Sequence, residues 1–161
     1  MAYAYSCMLR GLNSIYHQAE NVRKPEEIAD FLIFVKSWTV WVSHHHIMEE
    51  EMMFPGFGKV IGTPGFLGDN VEQHHAFQRQ LNILQDYSIQ TKPSDYDASI
   101  IRKAIEEMSP SFRDHLGDEI DSLLRMIDYD LEALMKVYKS CVAQATKQDR
   151  QVVPHSMVLG L

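Results

Sequence analysis

Residues 25–55 read PEEIADFLIFVKSWTVWVSHHHIMEEEMMFP, and the periodicity of this stretch decides the fold. Pro25 suits the first turn of a helix, where its missing N–H costs nothing. Glu26 and Glu27 then sit at the positive end of the helix dipole. Ile28, Phe31, Leu32, Val35, Trp38 and Val42 recur at helical spacing, and the pattern continues through His45 and Glu49. Residues four apart share one helix face, so a face that is apolar for most of its length ends in a histidine and a carboxylate. Pro55-Gly56 is expected to stop the helix. Phe31, Phe34, Trp38 and Trp41 are read as core packing around the first two helices. Met48, Met52 and Met53 are read as adaptable core, because thioethers as ligands favour soft copper.

Two further strings have the same form: His74-xxx-Gln78 and His115-xxx-Glu119. Both lie in stretches with helical spacing, while hairpin signals and sustained alternation are absent. A first helix is expected over about residues 2–19, a third from a cap at Asp69 or Asn70 to about Ile89, and a fourth from about Tyr96 to Ile127, kinked at Pro110. Residues 57–68, rich in glycine, are expected as a loop. The fold class is all-α: an antiparallel four-helix up-down bundle with an extra C-terminal helix. It is a single domain over 1–161, with the bundle at about 2–128, the last helix at about 131–148 and an irregular tail at 149–161.

The net charge of −7 and the lack of a basic cluster argue against nucleic acid or an anionic membrane as partner. Cys7 and Cys141 form neither a metal spacing nor a redox pair. The first dozen residues lack the apolar core of a signal peptide, and no apolar run has the length of a membrane span. A cytoplasmic protein is expected. The apolar tail is a candidate dimer contact.

Antiparallel helices bring together residues equally far from the turn that joins them. The turn near Pro25 places His45 opposite a residue near position 5, which is Tyr5; His17 would lie roughly 18 Å lower at the ~1.5 Å rise of a helix. The turn near Pro93 sets His74 and Gln78 against His115, and the loop near Gly62 roughly balances Glu49 against His74. Polar groups from all four helices therefore fall at one level. A carboxylate in an apolar core is costly unless paired or metal-bound, and imidazole suits iron, zinc, copper and nickel. The alternative reading of each pair is a buried hydrogen bond without metal. His44, His46 and His75 flank these positions and are assigned ordinary surface or packing roles. Glu50 and Glu51 are assigned to a solvated face.

At these residues the chain resembles the hemerythrin-like, or HHE cation-binding, family, and its fungal branch in particular. The strings that carry the resemblance are Arg-Gly-Leu-Asn-Ser-Ile-Tyr (10–16), His-His-x-x-Glu-Glu-x-x-x-Phe-Pro (45–55), Asn-Val-Glu-Gln-His (70–74) and His-Leu-x-Asp-Glu-Ile (115–120). The resemblance implies a four-helix bundle around a non-heme, usually di-iron, centre and oxygen-related chemistry. It casts His45 as the terminal histidine of one iron, Glu49 and Glu119 as bridging carboxylates, and His74 and His115 as histidines of the other. Two positions depart from the family pattern: Tyr5 and Gln78 stand where histidines are expected. One or two iron ions are therefore expected.

A ligand set short of two imidazoles leaves coordination positions open to dioxygen or substrate. The expected function is an oxygen-dependent biosynthetic oxidoreductase acting on a small organic molecule, with Tyr5 and Gln78 as altered, catalytic positions. One alternative is a metal-free bundle running non-oxidative acid–base chemistry of the isomerase or cyclase type. The other is a non-catalytic oxygen- or iron-binding protein.

Overall fold

The computed structural model describes residues 2–152. Its helices are α1 (Ala2–Gln18), α2 (Pro25–Met48), α3 (Phe54–Ile61), α4 (Gly68–Gln90), α5 (Ala98–Leu124) and α6 (Leu131–Val152). A π-helical turn, Glu49–Met53, joins α2 to α3 without a break. Short 3₁₀ turns, Pro93–Asp95 and Arg125–Asp128, precede α5 and follow it. There is no strand among the described residues. Among the described residues no helix is long and apolar enough to cross a membrane.

α4 packs against both α2 and α5, and α1 closes the ring against α5 and α2. This is the expected four-helix bundle. α1 and α2 approach closely because position 11 is glycine; a Cβ there would overlap the Trp38 indole. The indole Nε1 donates to the Met8 carbonyl (3.2 Å), which fixes the two helices in register. At the far end Arg102 of α5 donates to the Tyr16 hydroxyl of α1 (2.6 Å), and Tyr96 donates to the Ala19 carbonyl (2.7 Å).

Several boundaries differ from those expected. Pro55-Gly56 does not end the second helix. The π turn ahead of it bonds Phe54 N–H to the Glu49 carbonyl, five residues back. That wider turn relieves the clash a proline ring makes with the preceding turn of a regular α-helix, so Pro55 simply starts α3. The helix stops at Gly62 instead, whose left-handed backbone (φ 79°) closes the end with its N–H on the Gly58 carbonyl. Residues 57–61, expected in a loop, are therefore helical. α4 starts at Gly68 with Leu67 as its cap residue, and Asn70 is buried one turn in. α5 is capped by Asp97, which accepts from Ser99 N–H (2.8 Å), and it runs unbroken through Pro110. Phe31 and Trp38 are buried as expected, but Phe34 is exposed on the outer face of α2. α6 extends past residue 148, and residues 153–161, most of the expected tail, lie outside the described residues.

Candidate metal centre

The helices bury two separate apolar clusters. The larger fills the bundle and includes Val42, Phe77 and Phe112. The smaller is built from Met53, Phe54, Phe57, Leu67, Met126 and Leu134, where α3 and α6 cover the end of the bundle. Along α2 and the π turn, His46 and Glu49 fall between Val42 and Met53. On α4, His74 falls between Leu67 and Phe77; on α5, His115 and Glu119 fall between Phe112 and Met126. All five are buried. The polar residues thus form one layer walled off by apolar packing above and below.

Within that layer the helices set specific contacts. His45 Nε2 lies 2.7 Å from Glu49 Oε1, and His74 Nε2 lies 3.7 Å from Glu49 Oε2. His74 Nε2 and His115 Nε2 are 3.2 Å apart. His115 Nε2 is 3.5 Å from Glu119 Oε2. The other ring nitrogen of His74, Nδ1, meets Glu50 Oε1 at 2.6 Å. The His46 ring lies against both, with centroids 4.4 Å from His74 and 5.2 Å from His115. Tyr5 is buried on α1 and sets its ring edge-on to His45, centroids 6.2 Å apart.

Burial governs the charges. It pushes the Glu49 carboxyl up to about 8. Burial first, and then the neighbouring Glu49 charge, pushes Glu119 to about 8 as well. Desolvation lowers His74 to about 4 and His115 to about 3, and holds His46 well below the usual imidazole range. Burial, with Glu119 and Glu49 beside it, raises the Tyr5 phenol, which stays protonated. Without a cation the layer therefore keeps neutral imidazoles and protonated carboxyls, the forms in which a buried site avoids isolated charge.

His46, Glu49, His74 and His115 each offer one ligand atom, and these atoms lie within 4.8 Å of one another. Both ring nitrogens of His46 and Nδ1 of His115 are buried without a hydrogen-bond partner. Buried polar atoms are rarely left so, and a cation would take up some of them. His74 gives its Nδ1–H to the Glu50 carboxylate, which leaves its Nε2 lone pair facing His115. Two imidazole nitrogens brought to 3.2 Å need a proton or a metal between them. The donor set fits a transition-metal cation.

Glu49, His74 and His115 lie in the four-donor group. His45 and Glu119 flank it, His45 on Glu49 and Glu119 on His115, and Tyr5 lies beside His45 and Glu119. Gln78 is half-buried on α4, where its amide donates to Asn82 (2.8 Å). His46 and Glu50 were not expected at the site. His46, assigned a surface or packing role, is buried in the group. Glu50, assigned to a solvated face, binds His74. The signal that could have found them is a second pair in the next register, His46-xxx-Glu50. His44 is half-buried and His75 is exposed, and neither belongs to the group.

Comparison with known proteins bears on this layer. Residues 8–127 match the family model described as the hemerythrin HHE cation binding domain. A relative from Cryptosporiopsis sp. (strain 8999), described as a dimeric xanthone biosynthesis cluster protein, is 31% identical over 138 residues. The match covers 86% of this chain and 53% of the relative, so the chain spans about half the relative's length. No solved structure matches the chain.

Proposed function

The chain belongs to the hemerythrin HHE cation-binding family, and from that premise we propose that it is a non-heme iron protein with an altered site, an oxygen-dependent oxidoreductase acting on a small organic molecule in a biosynthetic pathway. The observation that carries this reading is the convergence of His46, Glu49, His74 and His115 in a buried layer. These residues would hold iron, with Glu119 and His45 beside them. Bound iron would supply redox chemistry with dioxygen, which organic side chains do not. The protein's part is to exclude water by the two apolar clusters, to fix His74 through Glu50, and to keep the Tyr5 hydroxyl protonated beside Glu119 as a proton donor. His46 supplies an imidazole on the side where Gln78 does not. The relative's description, dimeric xanthone biosynthesis, supports a biosynthetic role and an aromatic substrate class. The free cysteines Cys7 and Cys141 agree with a reducing compartment, which we take to be the cytoplasm.

One specific observation favours a second reading. Two carboxyls pushed to about 8 beside a buried phenol are proton carriers near neutral pH, which suits metal-free acid–base chemistry. Iron analysis combined with oxygen uptake in the presence of hydroxylated aromatic substrates separates the two. Activity that survives chelation and anaerobic conditions would assign the second. Reversible oxygen binding without substrate consumption would assign a carrier.

A further inference from the structure

Outside the buried layer, a pocket of about 330 Å³ opens between α3, the loop after it and the start of α4. That size is at the lower end of small-molecule sites, roughly 300–1,000 Å³. Its walls include Phe54, Pro64, Leu67 and Val71, and its ionic groups among the described residues are Glu50 and Lys59. Two of the lining residues are also contacts of the layer. Phe54 stacks on His74, ring centroids 5.9 Å apart and planes 24° apart. Glu50 holds His74 Nδ1 at 2.6 Å through Oε1. Two residues of the pocket wall, Phe54 and Glu50, thus touch a histidine whose inner nitrogen faces His115.

The geometry points to this pocket as the binding site for a flat, mostly apolar molecule bearing a hydroxyl group, of the hydroxylated-aromatic class. This deepens the proposed oxidoreductase reading and rests on it for the ligand's role as substrate. Rigid flat surfaces from Phe54 and Pro64, with aliphatic Leu67 and Val71, suit an aromatic slab rather than a sugar or a phosphate. The Glu50 carboxylate is about one-third exposed. One of its oxygens is taken by His74, and the other can accept a hydrogen bond from a ligand hydroxyl. Lys59 provides a donor for a carbonyl or phenolate oxygen at the rim. A ligand seated this way is separated from the buried layer by one carboxylate and one imidazole, so it communicates with the centre without entering it.

The test uses 2-naphthol and its ether, 2-methoxynaphthalene, titrated into the full-length protein by calorimetry. The expected result is one bound 2-naphthol per chain, the ether at least tenfold weaker, and loss of that preference in Glu50→Leu. Val71→Phe, which fills the pocket, is expected to abolish binding at unchanged metal content. Equal affinity for the two probes, or undiminished binding in a folded Val71→Phe, overturns the proposal. Should that variant not fold, NMR contacts from 2-naphthol to the Val71 and Leu67 methyls of the wild type decide it; their absence overturns it. Cobalt(II) uptake by the same preparations is the separate measure of the metal reading. Naphthol binding without cobalt uptake would remove the metal and keep the pocket, and cobalt uptake without naphthol binding would do the reverse.

Discussion

His74 Nε2 lies 3.2 Å from His115 Nε2, so α4 and α5 aim two buried imidazole nitrogens at the same point. Both side chains are essentially without solvent contact, and His46 and Glu49 face the same space. Two neutral imidazoles at that distance are joined by a proton or by a cation, and the donors that surround them suit a cation.

Removing one of the four donors should weaken metal binding more than removing a supporting residue. His74→Ala, His115→Ala and His46→Ala are expected to lower ferrous iron affinity by at least about 100-fold, beyond the ~10–100-fold typical of supporting residues. Gln78→Ala is expected to leave it unchanged, because that amide bonds Asn82. Anaerobic titration read by elemental analysis checks this. Equal loss in His46→Ala and Gln78→Ala would remove His46 from the site.

Glu50 acts on the centre through His74. Glu50→Gln still reaches Nδ1 but no longer does so as an anion, and a drop in metal affinity of about 10-fold or more is expected. The same change should shift the absorption bands of the cobalt(II) form. A spectrum and affinity identical to wild type would mean that Glu50 is only a surface contact.

In the metal-free protein, stability should fall as pH rises from 6.5 to 8. Glu49 and Glu119 keep their protons up to about 8 in the folded chain, against an ordinary value of 4.5. Between those values the native state binds more protons than the unfolded one, so raising the pH favours unfolding. The histidines act in the opposite sense. Lowered to about 4 and about 3, His74 and His115 add stability as pH rises, and that gain tapers off through the ordinary 6.5 and ends about one unit above it. The carboxyls therefore dominate in the upper part of the window, where the expected slope is on the order of 1 kcal/mol per pH unit. Bound metal needs carboxylates, so it should release protons on binding and flatten or reverse the slope. Thermal melts with and without metal measure this. A metal-free Tm that rises across the window would contradict the assigned burial.

Tyr5 tests the other side of the layer. Tyr5→His places an imidazole near Glu119 and His45, and it should raise the bound metal from about one ion towards two per chain. Gln78→His alone should not. Elemental analysis after anaerobic loading distinguishes them, and a gain from Gln78→His alone would show that α4 can turn that position inward.

Much of this was legible in the sequence because the relevant signals are periodic. Spacings of four placed Glu49, His74 and His115 on inward faces, and equal distance from the Pro25 turn brought Tyr5 to His45. What the spacing could not supply was side-chain direction. Gln78 follows His74 by four residues, yet its flexible amide turns to Asn82. His46 and Glu50 sit one residue beyond the expected pair. A helical wheel sets neighbours about 100° apart, and only packing between α4 and α5 decides that His46 is also enclosed. The misplaced helix end has a separate cause. Pro55 is a stop signal in a regular α-helix, and the π turn from Glu49 to Met53 absorbs it. Gly62, with its positive φ, was the true terminus and was visible as one of several glycines.

The central claim is that the buried layer holds iron. The most direct measurement is iron content per chain, by elemental analysis of protein produced with ample iron and purified without chelator, beside His74→Ala prepared identically. The account predicts at least about one iron per wild-type chain and a near-complete loss in the variant. Wild-type protein that carries no iron and binds no added ferrous iron under anaerobic conditions would contradict it.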